Sequence, residues 1–315
     1  TSFYKSTMET RLSKIIPVTM SHPTVLLTGA RGFIGRNTFE ALRRRYTVFA
    51  PTHSELDFLS IEAVDAFFKT HTIGIIIHCA FIGGNRKTPY MPDAVEKNLR
   101  MFTNLVRYAK SVRKVIHIGS GAEYDIRYPV QRVTEASFGE RIPADQYGFA
   151  KYLCSRLAQD IDNVIVLRPF GVWGKYEDYE TRFMSNAICK TLYNLPITLN
   201  QNAYFDYLFI DDFVKIVEFF MLHDVRYKYY NVGSGERIDL LTIAKKVAAL
   251  DHKKPASVIV KQGGLKQEYT PNIDRLRKEI GILPHTPFNS ALRQLYHWYA
   301  VRKSSIEKER LLKDV

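Results

Sequence analysis

Short apolar runs alternate with segments of helical period from residue 23 to about 170. In order they are TVLLTG, RNTFEALRRR, YTVFAP, SIEAVDAFFKTH, IGIIIHCA, DAVEKNLRMFTNLVRYAKSV, KVIHIGS, QYGFAKYLCSRLAQDI and NVIVLRPF. Strands that are almost continuously apolar, each followed by an amphipathic helix, predict a parallel sheet covered on both faces. The expected fold class is α/β, a doubly wound parallel sheet. Beyond residue 175 the pattern loosens. A helix is expected at 184–193, then the segment ITLNQNAYFDYLFIDDF, a helix at 214–222 and a more helical C-terminal third. This predicts a first lobe over 23–175 with a return segment near 204–235, and a smaller, mainly helical lobe over 176–203 and 236–315. Residues 1–22 are polar, with no apolar stretch of signal-peptide length, and are expected to be a leader or an expression remnant. The tail SSIEKERLLKDV is expected to be a solvated helix or a frayed end.

Composition changes this picture little. The chain has 315 residues, 46% of them hydrophobic, enough for a large core and long enough to favour two lobes. No apolar run reaches the roughly 18 to 20 residues of a membrane span, which excludes a transmembrane reading. Three cysteines, Cys79, Cys154 and Cys189, show no CxxC spacing. That argues against a disulfide scaffold or a metal site and favours a cytoplasmic protein. Lys and Arg exceed Asp and Glu by 45 to 32, a net charge of +13. Such an excess favours an anionic partner without distinguishing nucleic acid, membrane surface or phosphorylated small molecule.

The first candidate chemistry is a glycine-rich turn directly after the first strand: Thr28-Gly29-Ala30-Arg31-Gly32-Phe33-Ile34-Gly35. A turn without side chains lets the main chain approach a pyrophosphate, and the free N–H groups and dipole at the following helix start favour negative charge. A dinucleotide fits such a site, and the first lobe is expected to bind one. The end of the second strand reads Phe49-Ala50-Pro51-Thr52-His53-Ser54, with no acid before Glu55, and Arg31 lies in the turn itself. The absence of an acid for a ribose 2′-hydroxyl favours NADP(H), with NAD(H) as the alternative. Asp57 is a candidate for the adenine amino group, or else a helix N-cap before Ile61.

The second candidate is Ser120, Tyr147 and Lys151. Tyr147 and Lys151 are four residues apart on a predicted helix and so share a face. An ammonium within a few ångströms favours the phenolate, which suits a phenol for proton exchange with a sugar or alcohol oxygen. The lysine also suits the nicotinamide ribose. The spacing recurs at Tyr299 and Lys303, but only the first copy is accompanied by a serine at the carboxyl edge of an apolar strand, where doubly wound sheets bind ligands. The second copy is expected on a surface helix.

With these residues in place, the chain resembles the extended short-chain dehydrogenase/reductase family of nucleotide-sugar enzymes, of the NAD-dependent epimerase/dehydratase type. The likeness runs from about Thr24 to Trp298 and is carried by TGARGFIG, IIIHCA, Asn98 in NLRMFTNLV, GSGAEY, YGFAK, LRPFGVWG, YFDYLFIDDF and YYNVGSG. HSELDFLS, the FIGGN segment at 81–85 and the arginine in the turn look most like the GDP-L-fucose synthase branch, which reduces a 4-keto-6-deoxyhexose on a nucleoside diphosphate with NADPH. By that likeness Ser120, Tyr147 and Lys151 take the catalytic places. Arg31 and His53 fall where the 2′-phosphate is gripped, and Ala80, Asn98 and Phe170 join the cofactor set. The resemblance also implies a homodimer built on the DAVEKNLRMFTNLV and YGFAKYLCSRLA helices, with neither nucleic acid nor membrane as partner.

Departures from the family pattern narrow the expected reaction. Dehydratases carry an Asp-Glu pair immediately after the serine position, where this chain has Gly121 and Ala122. The fucose synthase branch epimerises C3 and C5 with a cysteine two places after the serine and a histidine beyond the LRP segment. Here Ala122 holds the first place, and no histidine occurs between His117 and His223. Reduction without epimerisation is expected, with an NAD-dependent nucleotide-sugar 4-epimerase as the alternative. Glu123 stands at an apolar family position and is expected to face outward or pair with a basic neighbour. Gly171 replaces a frequent asparagine, and Phe205 an arginine. Diphosphate binding is therefore assigned to Arg182, Lys190 or Lys261, in a GDP-linked sugar by preference.

Overall fold

The computed structural model describes residues 23–84, 90–251 and 254–312. The expected leader and Asn85 of the FIGGN segment lie outside these. The first half runs β1 (Val25–Thr28), α1 (Phe33–Leu42), β2 (Val48–Phe49), α2 (Ile61–Thr70), β3 (Ile75–His78), α3 (Ala94–Val106), β4 (Lys114–Ile118) and β5 (Val130–Val133). It continues through α4 (Gln146–Ala158), β6 (Val164–Pro169) and β7 (Gly171–Trp173). There follow α5 (Phe183–Leu192), β8 (Ile197–Asn202), β9 (Tyr204–Phe209), α6 (Ile210–Leu222), β10 (Tyr229–Val232) and β11 (Arg237–Asp239). The last elements are α7 (Leu240–Ala248), β12 (Val258–Leu265), β13 (Tyr269–Pro271), α8 (Asp274–Ile280), α9 (Phe288–Ala300) and α10 (Lys308–Leu311).

Six strands form one parallel sheet in the order β10-β6-β4-β3-β1-β2. Alternate side chains point to opposite faces. Leu26, Ile76, Val115 and Val166 therefore enter the core shared with residues of α2, α3 and α4. Leu27, Ile77, Ile116 and Leu167 enter the larger core on the other face, shared with α5, α6 and α9. This double burial is the reason the strands read as unbroken apolar runs. The chain leaves β1 for β2 on one side and returns to β3 on the other, so the topological switch lies between the carboxyl ends of β1 and β3.

The return segment supplies β10, which pairs with β6 at the sheet edge, and α6, which packs against α1. The remaining strands make smaller sheets: β11-β9-β13-β5 form a second one, with β7 joined to β9, and β12 pairs with β8 as a ribbon. The segment ITLNQNAYFDYLFIDDF thus holds two strands before its helix. The tail is a largely exposed helix, as one of the two expectations had it, pinned at a few points. Ile306 and Leu311 are buried, and Arg310 Nη1 lies 2.7 Å from a carboxylate oxygen of Glu180. No helix among the described residues is long and apolar enough to cross a membrane.

Candidate active site

At the switch point the glycines are required by contact. Gly29 has φ +69°, and a Cβ there would lie 2.6 Å from the Ala80 nitrogen, so the turn after β1 presses on the chain leaving β3. A Cβ on Gly35 would lie 2.1 Å from the Gly29 carbonyl oxygen, which fixes how closely α1 seats on the turn. Thr28 locks the two strand ends together: its Oγ1 accepts the Ala80 N–H at 3.0 Å and meets His78 Nδ1 at 2.8 Å. Gly32 is the N-cap of α1, so no side chain caps the helix, and its first turn holds no acid. Phe33 and Ile34, whose amides open that turn, pack their side chains into the larger core. Uncapped amides at the positive end of a helix, beside a turn that any added side chain would fill, fit the diphosphate of a dinucleotide.

Arg31 is exposed beside the loop that follows β2. The Glu55 carboxyl is held below its ordinary value there, first by hydrogen bonds from the Thr52 amide and side chain and further by the Arg31 charge. His53 is also exposed, with Nδ1 3.5 Å from Asp57 Oδ1. Asp57 is not a helix cap. Ser60 caps α2 by accepting the Ala63 N–H at 3.1 Å, and Asp57 Oδ1 accepts the Leu59 N–H at 2.9 Å.

Ser120 follows β4 and caps a short 3-10 turn over Gly121–Tyr124, its Oγ accepting the Ala122 N–H at 3.1 Å. Tyr147 and Lys151 lie on α4, whose N-cap Asp145 accepts the Gly148 N–H at 2.8 Å. Lys151 is buried, and its Nζ donates to the Ile118 carbonyl at 2.6 Å, which ties α4 to the end of β4. The same ammonium stands 4.5 Å from the centre of the Phe81 ring. The Tyr147 ring meets Phe81 edge-on at 5.0 Å. The structure therefore brings Ser120, Tyr147 and Lys151 together at the carboxyl edge of β4. Gly84, with φ +76°, lays the loop after β3 over Tyr147, where a Cβ would lie 2.6 Å from the tyrosine Cδ2. Asn98 holds that loop through both its amide atoms: Oδ1 accepts the Ile82 N–H at 2.8 Å, and Nδ2 donates to Ile82 O at 2.8 Å and Ala94 O at 2.6 Å. The other Tyr-Lys copy is different from its expectation, because Tyr299 is buried in the large core with its hydroxyl on the Glu177 carbonyl at 3.2 Å.

Glu123 faces inward. It is fully buried, with Oε1 accepting the Ser120 N–H at 2.8 Å and Oε2 2.6 Å from Arg168 Nε. Gly119 is the residue that admits it, since a Cβ there would lie 2.3 Å from Glu123 Oε1. The Arg168 guanidinium lies 4.0 Å over the Phe138 ring. Sequence reasoning placed Glu123 as a candidate for pairing but missed that its partner is the arginine of the LRP segment.

The three proposed diphosphate cations are not gathered. Arg182, exposed at the N-cap of α5, is near enough to Tyr269 for its charge to act on that phenol. Lys190 is eight residues further along the same helix, about 12 Å at 1.5 Å per residue, and is buried. Lys261 is exposed on the β12 ribbon. The two missing family residues have a physical account. A Cβ on Gly171 would lie 2.3 Å from the Asp206 carbonyl oxygen, so no asparagine fits there. Phe205 joins Tyr269, 6.0 Å away, in an aromatic wall completed by Phe170, whose ring is 4.8 Å from Tyr269. Tyr269 was not anticipated; nothing in the flanking QEYTPN marks it.

Known proteins are similar to this chain in sequence and fold. The chain is 23% identical to a putative GDP-L-fucose synthase 2 of Arabidopsis thaliana, over 87% of this chain and 91% of that protein. It is 24% identical to an ADP-L-glycero-D-manno-heptose-6-epimerase of Cupriavidus pinatubonensis, over 91% and 92% of the two chains. Among solved structures, the fold is similar to GDP-mannoheptose C4 reductase from Campylobacter jejuni with NADP bound, at TM-score 0.76 and 17% identity, covering 88% of this chain and 98% of that one. A UDP-glucose 4-epimerase from Thermotoga maritima gives TM-score 0.75 at 18% identity, over 90% and 100%. The family model that matches spans residues 25–233, from β1 to the glycine after β10, and so takes in the glycine turn, Ser120, Tyr147 and Lys151. On that match the chain belongs to the NAD dependent epimerase/dehydratase family.

Proposed function

We propose that the protein catalyses NADPH-dependent reduction of the 4-keto group of a nucleoside-diphosphate-linked deoxy sugar, without epimerisation at C3 or C5. The observation that carries this is the convergence of Ser120, Tyr147 and Lys151 beside the glycine turn, with the methyl of Ala122 where an epimerising acid or base is needed. Bound NADPH supplies the hydride to the carbonyl carbon. Tyr147 gives its phenolic proton to the carbonyl oxygen, so that C=O becomes CH–OH with the charge balanced. Ser120 orients that oxygen by hydrogen bonding. Lys151, fixed by the Ile118 carbonyl, holds the nicotinamide ribose. Phe81 and the loop held by Asn98 pack against the Tyr147 ring and hold its orientation. Arg31 and His53 are assigned to the 2′-phosphate, Asp57 to the adenine and Arg182 to the sugar diphosphate. GDP is favoured as the nucleotide because relatives named for GDP-sugars recur among the similar proteins.

One observation favours a second reading, an NAD-dependent 4-epimerase: the Glu55 carboxylate shares the electrostatic neighbourhood of Arg31 and competes for it. A single assay separates them. NADPH oxidation is followed with GDP-, CDP-, dTDP- and UDP-linked 4-keto sugars. A reductase consumes NADPH stoichiometrically with one of them, whereas an epimerase shows no net consumption and retains bound NAD. Tyr147→Phe is expected to lower turnover at least a hundredfold with NADPH affinity kept; a smaller loss overturns the role given to Tyr147.

A further inference from the structure

Strand β13 carries a second phenol into the catalytic centre from the far end of the chain. Tyr269 lies opposite Phe205 of β9 and Val130 of β5. This register places its ring against Phe170 and its hydroxyl over the turn that holds Ser120. A Cβ on Gly121 would lie 2.4 Å from the Tyr269 oxygen and 2.8 Å from Phe170 Cε1. Gly121 has no positive φ. Glycine is required there by room alone, and the room is taken by this hydroxyl. Ser120 and Tyr147 both stand close enough to the Tyr269 phenol to act on it electrostatically. Burial first, and then Tyr147, hold the Tyr269 phenol well above its ordinary 10, so it keeps its proton at neutral pH.

Each of these two hydroxyls carries one proton to donate. Ser120 Oγ accepts the Ala122 N–H, and among the described residues no acceptor takes the proton of either hydroxyl. Both O–H donors are therefore left for a ligand at the point where Ser120 and Tyr147 converge. We propose that Tyr269 is a substrate-contacting, specificity-determining residue whose hydroxyl, beside that of Ser120, grips the oxygen to which Tyr147 gives its proton. This rests on the reductase reading above and adds to it a donor supplied by β13. A neutral donor aimed at one oxygen discriminates by what is lost when that oxygen is missing or misplaced, because the donor is then left unsatisfied.

The test is Tyr269→Phe, which keeps the ring on Phe170 and removes only the hydroxyl, with Gly121→Ala as a second variant whose methyl displaces the same oxygen. Both are assayed with NADPH and a GDP-linked 4-keto-6-deoxyhexose, beside the unaltered enzyme and Tyr147→Phe. The expected result is a 10- to 100-fold fall in kcat/KM for both variants. NADPH affinity, read by fluorescence titration, and GDP affinity, read by calorimetry, should stay within twofold. Activity of Tyr269→Phe within twofold of the unaltered enzyme overturns the proposal and makes Tyr269 a packing residue. An equal loss of NADPH or GDP affinity overturns it too, since that marks general disruption. If Tyr147→Phe falls while Tyr269→Phe does not, the reductase reading survives alone. If Tyr147→Phe is as active as the unaltered enzyme, the reading fails and the role of Tyr269 fails with it.

Discussion

Glu177 and His78 are buried titratable groups whose effects on stability oppose each other, and removing one should expose the other. Glu177 is 9% exposed, accepts the Ser185 O–H at 2.6 Å, and burial pushes its carboxyl from 4.5 up to about 7. Its raised value means the folded protein holds that proton more tightly than the unfolded chain. Its contribution is full below pH 4.5 and is lost as pH rises through 7. His78, 3% exposed, is pushed from 6.5 down to about 3 by burial, with the Lys151 charge adding to it. Its contribution has the opposite sense, present above pH 6.5 and lost as pH falls toward 3. Between pH 7 and pH 5 the linkage relation gives a gain of about 2 kcal/mol from Glu177 and a loss of about 2 kcal/mol from His78. The two cancel, leaving His117, also shifted downward by burial, to tip the balance toward acid loss. Glu177→Gln removes only the gain. Urea unfolding of both proteins at pH 7 and pH 5, with fluorescence and circular dichroism required to coincide, should show the stability difference between them changing by about 2 kcal/mol in favour of the unaltered chain at the lower pH. Parallel pH profiles for the two proteins would refute the reasoning, because every other titrating group is common to both.

Two further substitutions probe the site. Gly35→Ala places a methyl 2.1 Å from the Gly29 carbonyl, where only backbone stands in its way; overpacking of this kind costs about 1–3 kcal/mol, and dinucleotide affinity measured by fluorescence titration should fall at least tenfold. Arg168→Met leaves the buried Glu123 carboxyl without its partner, which should lower stability by about 3–5 kcal/mol in urea unfolding, whereas the double change with Glu123→Ile should recover most of it.

How much was legible from the sequence depended on how local each feature is. The strands, the glycine turn and the Tyr147–Lys151 pair declare themselves within a few residues, because periodicity, missing side chains and helical spacing are local signals. Ser120 was found from its place after an apolar run. Features set by distant segments were not legible. Tyr269 lies on a three-residue strand with no pattern of its own and reaches Ser120 only through the register of β13 with β9 and β5. Glu123 was open to an outward reading because its burial depends on Gly119 and on Arg168, 45 residues away. Lys190 sits near Arg182 in sequence, yet the helix rise separates them. The tail's polar sequence marks a solvated helix, but not its two buried anchors, Ile306 and Leu311.

The interlocking of Gly119, Glu123 and Arg168 bears on how such a chain can drift. No side chain can be added at 119 while the carboxylate stands where it does, and the carboxylate cannot be lost while the guanidinium remains. A lineage moving between this ionic arrangement and an apolar one must cross a less stable ancestor or alter both charges almost at once. Homologues should accordingly sort into two discrete groups at these three sites, with few sequences mixing them.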